Sequence, residues 1–188
     1  MTVHSGTVEH FACADGVRCS VSIVAPRETV FARFRHDILA WWPRDETWSG
    51  AAIEDLYFEG RKGGLIWERG PQGFRLDMAR VERWLRPERI HLRWHIGPGR
   101  VPEPDPERAS EVEIRFIAEE TGGTRVELEH RGFSRHGAGG DSYRSRMGSD
   151  RGWPRILKNF ADHCGPRLEI VPAAANVTPL RALPEFVA

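Results

Sequence analysis

The chain has 188 residues, 40% hydrophobic and 29% charged, the range of a single soluble domain large enough to bury a core. Lys plus Arg (27) equals Asp plus Glu (27), so no surplus field exists to hold a polyanion, and nucleic acid is not expected as a partner. Cys13, Cys19 and Cys164 are odd in number and form no C-x-x-C pair, which points to reduced thiols rather than a disulfide framework or a cysteine zinc site.

The opening MTVHSGTVEHFACADG has neither the basic start nor the apolar run of a signal peptide, and no later stretch approaches a membrane span. A cytoplasmic protein without membrane contact is expected. VRCSVSIVAP places Val17, Cys19, Val21 and Ile23 on one face and Arg18, Ser20 and Ser22 on the other, the period-2 pattern of a half-buried strand. After Pro26 the period changes. Val30, Phe31, Phe34 and Ile38 recur at helical spacing, with Pro26 tolerated at the start and Glu28 near the positive helix end. LAWWPRDETWSG, with three Trp around a Pro, predicts a short helix or loop wedge.

AAIEDLYFEG, GGLIWERG, FRLDMARVERWL and ERIHLRWHIG follow as strands of an antiparallel meander, punctuated by Gly and Pro. In the last of them Ile90, Leu92, Trp94 and Ile96 share one face and His91, Arg93 and His95 the other. GPGRVPEPDPERAS (97–110) carries four Pro and is either a mobile lid or slack, with slack the simpler reading. EVEIRFIAE and TRVELEHRGF, joined through Gly122-Gly123, predict a hairpin. SRHGAGGDSYRSRMGSD is polar and glycine-rich. In RGWPRILKNFADHC, Trp153, Ile156, Leu157, Phe160 and Cys164 make one apolar helical face, with Pro154 in the first turn. The remainder is Pro-punctuated and predicts an extended tail, laid on the body through Leu180, Leu183 and Phe186.

One long helix and one half-apolar sheet imply an α+β fold in which a curved antiparallel sheet wraps the C-terminal helix, with two short helices after the first strand. The domain reading is an N-terminal extension over 1–16, one sheet-and-helix domain over 17–164 and a tail over 165–188. Burial of Trp153, Ile156, Leu157 and Phe160 contributes on the order of 6 to 10 kcal/mol gross.

The ordered pieces APRETVFARF, Trp41-Trp42, KGGLIWE, VERWLRPERIHLRW, GGTRVELEHRGF and GWPRIL together resemble the helix-grip (START-like, SRPBCC) superfamily, in its branch named after the activator of Hsp90 ATPase. The resemblance spans about residues 17 to 164 and implies an interior cavity between sheet and helix. The Pro-rich insertion, Pro154 and the tail depart from it.

Candidate chemistry is sparse. His91 and His95 would stand roughly 13 Å apart on a strand at about 3.3 Å per residue, too far to share an ion, so no metal is expected. Ser134 near His136 lacks the G-x-S-x-G frame of a nucleophile elbow, and the Gly-rich runs lack the context that cradles phosphates, so no cofactor is expected. His130 shares parity with Val126 and Leu128 and should point inward. Aromatic and sulfur side chains dominate what remains. In the resembled fold, Trp42, Trp48, Trp67, Met78, Trp94, Phe116, Tyr143 and Met147 would border the cavity, with Glu68, His130 and Tyr143 as polar contacts. The expected function is non-catalytic binding of a small hydrophobic or aromatic molecule. The alternatives are a polyketide cyclase/hydrolase-like enzyme using the same pocket, with His130, Tyr143 or Glu68 as the acid or base, and a chaperone-interacting protein. Monomer and homodimer both stay open.

Overall fold

The computed structural model describes residues 8–13 and 15–165. The tail residues Leu180, Leu183 and Phe186 lie outside the described residues. Eight strands form one antiparallel sheet: β1 (Glu9–Cys13), β2 (Gly16–Ile23), β3 (Asp55–Phe58), β4 (Leu65–Arg69), β5 (Arg75–Leu85), β6 (Arg89–Trp94), β7 (Ser110–Ala118) and β8 (Thr124–Arg131). Their spatial order is β1-β2-β8-β7-β6-β5-β4-β3. β1 falls within the segment read from sequence as an extension, where it pairs with β2 from Glu9↔Ser20 to Cys13↔Gly16.

α1 (Arg27–His36) and α2 (Ile38–Trp41) carry the chain from β2, near one edge, to β3 at the other. α3 (Gly140–Gly148) and α4 (Trp153–Cys164) close the fold, and α4 packs against β2 and touches α1, α2 and α3. The glycine-rich stretch read only as polar thus forms a 3-10 segment, Phe133–Gly139, running into α3. Its turn into α4 is tight. A Cβ at Gly152 would collide with the Met147 carbonyl oxygen, so glycine is required where the two helices meet. Pro154 sits in the first turn of α4, where its missing N–H leaves no intrahelical bond unmade.

The alternation in the sequence explains the core. Val17, Cys19, Val21 and Ile23 are buried while Arg18 and Ser22 are exposed. Ile90, Leu92, Trp94 and Ile96 are buried, as are Val112, Ile114 and Phe116. The β7–β8 register sets Phe116 opposite Val126, Ile114 opposite Leu128 and Val112 opposite His130. Against this inner face α4 buries Trp153, Ile156, Leu157, Phe160 and Cys164. Phe160 stacks edge-on with Phe34 at 5.0 Å between ring centroids, which locks α4 to α1. The result is a helix-grip fold.

The opposite face of the sheet is polar. Glu111 receives Arg93, Arg131 and Arg135, and Arg115 reaches Glu113, Glu127 and Glu129. Burial pushes the Glu111 carboxyl up, but the hydrogen bonds and charges of Arg135 and Arg131 outweigh it and hold it at about 2. His91 lies there between Glu82 and Glu111, at 3.3 and 3.5 Å. No helix among the described residues is long and apolar enough to cross a membrane.

Candidate functional site

Two strands and two helices bring aromatic side chains together between the sheet and the head of α4. Trp94 from β6, His130 from β8, Tyr143 from α3 and Trp153 from α4 meet Trp42, which follows α2. Ring centroids lie 5.3 Å apart for Trp94 and Trp153, 6.1 Å for Trp42 and Trp153, and 6.3 Å for Trp42 and Trp94. His130 stands 5.9 Å from Tyr143 and 5.8 Å from Trp153. Met147, one turn beyond Tyr143 on α3, is buried with them.

Hydrogen bonds fix the protonation state of His130. Trp153 Nε1 donates to His130 Nδ1 at 2.9 Å. An indole nitrogen has no acceptor, so Nδ1 carries no proton; the single ring proton is on Nε2, 2.8 Å from the Ser110 hydroxyl that receives it. Burial, followed by the nearby His136, lowers the His130 pKa to about 3, so the ring is neutral at physiological pH. Tyr143 is equally engaged. Its hydroxyl accepts from Trp94 Nε1 at 2.9 Å and donates to the Ile96 carbonyl at 2.8 Å, and burial pushes its pKa well above the ordinary phenol value.

Glu68, on β4, is fully buried and accepts from the backbone N–H groups of Trp48 at 2.8 Å and Ser49 at 2.6 Å. It anchors the loop after α2. Burial pushes the thiols of Cys19 and Cys164 to about 12 and about 11, which removes both as thiolate nucleophiles near neutral pH. Among the described residues no group of three His, Cys, Asp or Glu side chains could hold a metal ion.

The structure therefore gathers Trp42, Trp94, His130, Tyr143 and Met147 and leaves other expected lining residues elsewhere. Trp67 lies on the outer face, stacked on Tyr57 at 4.0 Å with the Arg75 guanidinium 4.3 Å from its ring centre. The reason is strand parity: Trp67 and Glu68 are neighbours on β4 and cannot both face inward, and Glu68, with Ile66, takes the inner side. Phe116 packs on Phe31 and Phe34 of α1, at 5.0 and 5.4 Å. Met78 is buried at the bulge where the β4–β5 register shifts. Trp48 is half-buried beneath the Arg100 guanidinium, 4.8 Å from its ring centre. Trp153 and Ser110 complete the group although the sequence pattern marks one only as helix seam and places the other at the end of the Pro-rich loop.

Unanswered polar atoms remain in this interior, and buried His136, 5.4 Å from Tyr143, is one such side chain: neither ring nitrogen has a hydrogen-bond partner among the described residues. The indole Nε1 atoms of Trp41 and Trp42 are buried and have no hydrogen-bond partner among the described residues. A buried donor without an acceptor costs about 1–3 kcal/mol, and native proteins normally satisfy such groups through water or a ligand.

Next to the aromatic group runs the segment 44–49, held by polar clamps. Arg100 donates to the carbonyls of Asp45 at 3.1 Å and Thr47 at 2.8 Å. Arg146 of α3 grips Glu46 at 3.0 Å, and Arg155 of α4 binds Asp45 bidentately at 2.7 and 2.8 Å. The Pro-rich 97–110 stretch is accordingly tied to the body rather than slack, and a second tie joins the Glu103 N–H to the His95 carbonyl.

A family model described as "Activator of Hsp90 ATPase homolog 1-like protein" matches residues 24–165. Among solved structures, an anthrahydroquino-Gama-pyrone synthase Txn09 complexed with SUM is 33% identical, with 79% of this chain and 96% of that chain covered and a TM-score of 0.58. The self-sacrificing resistance protein CalC from Micromonospora echinospora is 29% identical, with 80% and 94% covered and a TM-score of 0.58. Protein NE0264 from Nitrosomonas europaea, 16% identical with 82% and 96% covered and a TM-score of 0.58, shares the fold. No curated protein matches the chain.

Proposed function

The chain belongs to the activator of Hsp90 ATPase homolog 1-like family, and from that premise we propose that it binds a small aromatic molecule between the sheet and the head of α4 without transforming it. The observation that carries this reading is the unpartnered indole N–H of Trp42, buried among Trp94 and Trp153. A carbonyl- or hydroxyl-bearing ring system supplies both an acceptor for that donor and faces for the surrounding aromatics. Catalysis by His130, Tyr143 or Glu68 is disfavoured because each is committed: His130 through both nitrogens, Tyr143 through donor and acceptor, and Glu68 through both oxygens.

The 33% identity to a protein described as a synthase favours an enzymatic second reading of the same pocket. That reading requires His130, Tyr143 or Glu68 to be released from its partner when substrate binds. Native mass spectrometry of the purified protein incubated with 1,8-dihydroxyanthraquinone separates these outcomes. An unchanged one-to-one adduct is expected, weakened about tenfold in Trp42→Phe, which keeps a ring and removes the donor. A transformed adduct establishes the second reading, and no adduct with this probe or with a co-purified molecule overturns both.

A further inference from the structure

A cleft of about 720 Å³ opens beside the aromatic group, between Asp45 and Glu46 on one side and Arg146, Ser149, Arg151 and Arg155 on the other. Three guanidiniums from the end of α3, the following turn and the first turn of α4 converge on it. Two of them already hold carboxylates: Arg146 Nη2 lies 3.0 Å from both Glu46 oxygens, and Arg155 binds Asp45 through two parallel bonds. Among the described residues no ion pair holds Arg151. The cleft therefore carries one positive charge more than its own acids neutralise. Met147, next to Arg146 in sequence, and Trp153, midway between Arg151 and Arg155, belong to the buried aromatic group, and Arg146 Nη1 sits 3.8 Å from Met147 Sδ.

We propose that this cleft is an anion subsite of the aromatic pocket, so that the preferred guest is an aromatic carboxylate. Its ring system displaces the direct contacts that Trp42 makes with Trp94 and Trp153, and its carboxylate pairs with Arg151 and competes with Asp45 for Arg155. Arginine's planar fork suits a carboxylate, and the existing Arg155–Asp45 pair shows the bidentate geometry that an incoming one would reproduce. Exchange at Arg155 loosens Asp45, and with it one of the clamps on the segment that flanks the aromatic group. Recognition of the anion and admission of the ring are thus coupled at one arginine. The aromatic half of this proposal rests on the function proposed above; the anion half does not.

NMR titrations with benzoate and with anthraquinone-2-carboxylate follow the two halves separately, through the side-chain Nε–H signals of Arg146, Arg151 and Arg155 and the indole signal of Trp42. Benzoate at low salt should move the Arg151 and Arg155 signals saturably, with affinity falling about tenfold in Arg151→Gln or in about 0.5 M salt. The larger carboxylate should also move the Trp42 signal and bind about tenfold more tightly than its neutral carboxamide, a margin that Arg151→Gln abolishes. Unsaturable arginine shifts, or saturable ones indifferent to Arg151→Gln, overturn the anion subsite. Arginine shifts without any Trp42 response leave the subsite standing and overturn the aromatic pocket.

Discussion

His130 and His91 stand on strands flanking β7 and face opposite sides of one sheet, and they show how differently its two faces are built. His130 has one partner per nitrogen, Trp153 and Ser110, in a fully buried site. His91 sits between Glu82 and Glu111 among several arginines that share those same carboxylates. On the inner face each polar contact is unique, so losing one strands its partner away from water. On the outer face the contacts are redundant and screened, so losing one is absorbed by its neighbours. Stability is concentrated on the side where the sheet meets α4.

The sharpest way to break this contrast is Phe160→Asp, which puts an unpaired charge where α4 meets Phe34 and Trp41. Little folded protein should remain, and a native-like near-UV CD spectrum would show that α4 is not what the sheet grips.

A pH series comes next. His130 titrates at about 3 when folded against about 6.5 when unfolded, so the unfolded chain binds the extra proton between those values. Stability therefore falls as pH drops from about 6.5 toward 3, at up to ~1.4 kcal/mol per pH unit for this one group. Urea midpoints measured across that range should show a shallower slope in His130→Gln, and an unchanged slope would remove His130 as its source. Glu111 contributes in a lower window: its pKa is held at about 2, so the stability it adds is lost only as pH falls below the ordinary carboxylate value.

Trp153→Phe should cost about 1–3 kcal/mol, because Nδ1 of His130 is left buried without its donor. The double variant with His130→Gln should be less destabilised than the sum of the two, as expected for one bonded pair. The smallest effect belongs to Glu127→Gln on the outer face, half-buried between Arg115 and Arg125, at under about 1 kcal/mol and shrinking with added salt.

Strand alternation makes the fold readable in the sequence, because residues such as Val17, Cys19, Val21 and Ile23 can satisfy a half-buried strand in only one register. The α4 face and the inward turn of His130 are legible for the same reason. The site is legible only in part. LIWER offers Trp67 as the obvious inward residue, yet the backbone amides of Trp48 and Ser49, contributed from a loop far back along the chain, make Glu68 the inward one. Periodicity carries no information about such distant partners. Trp153 reads as ordinary helix seam because its role depends on a single bond to β8, and the clamps of Arg100, Arg146 and Arg155 converge on one short segment from three separate stretches of chain.

The crowding of Trp41, Trp42, Trp94 and Trp153, with successive ring centres 5.3 to 6.3 Å apart, makes these four indoles a single optical unit. Excitation absorbed by any of them migrates to the others faster than it is emitted. One absorbing guest lodged beside Trp42 would therefore darken all four together, and the protein's own ultraviolet emission becomes a gauge of occupancy that needs no added label.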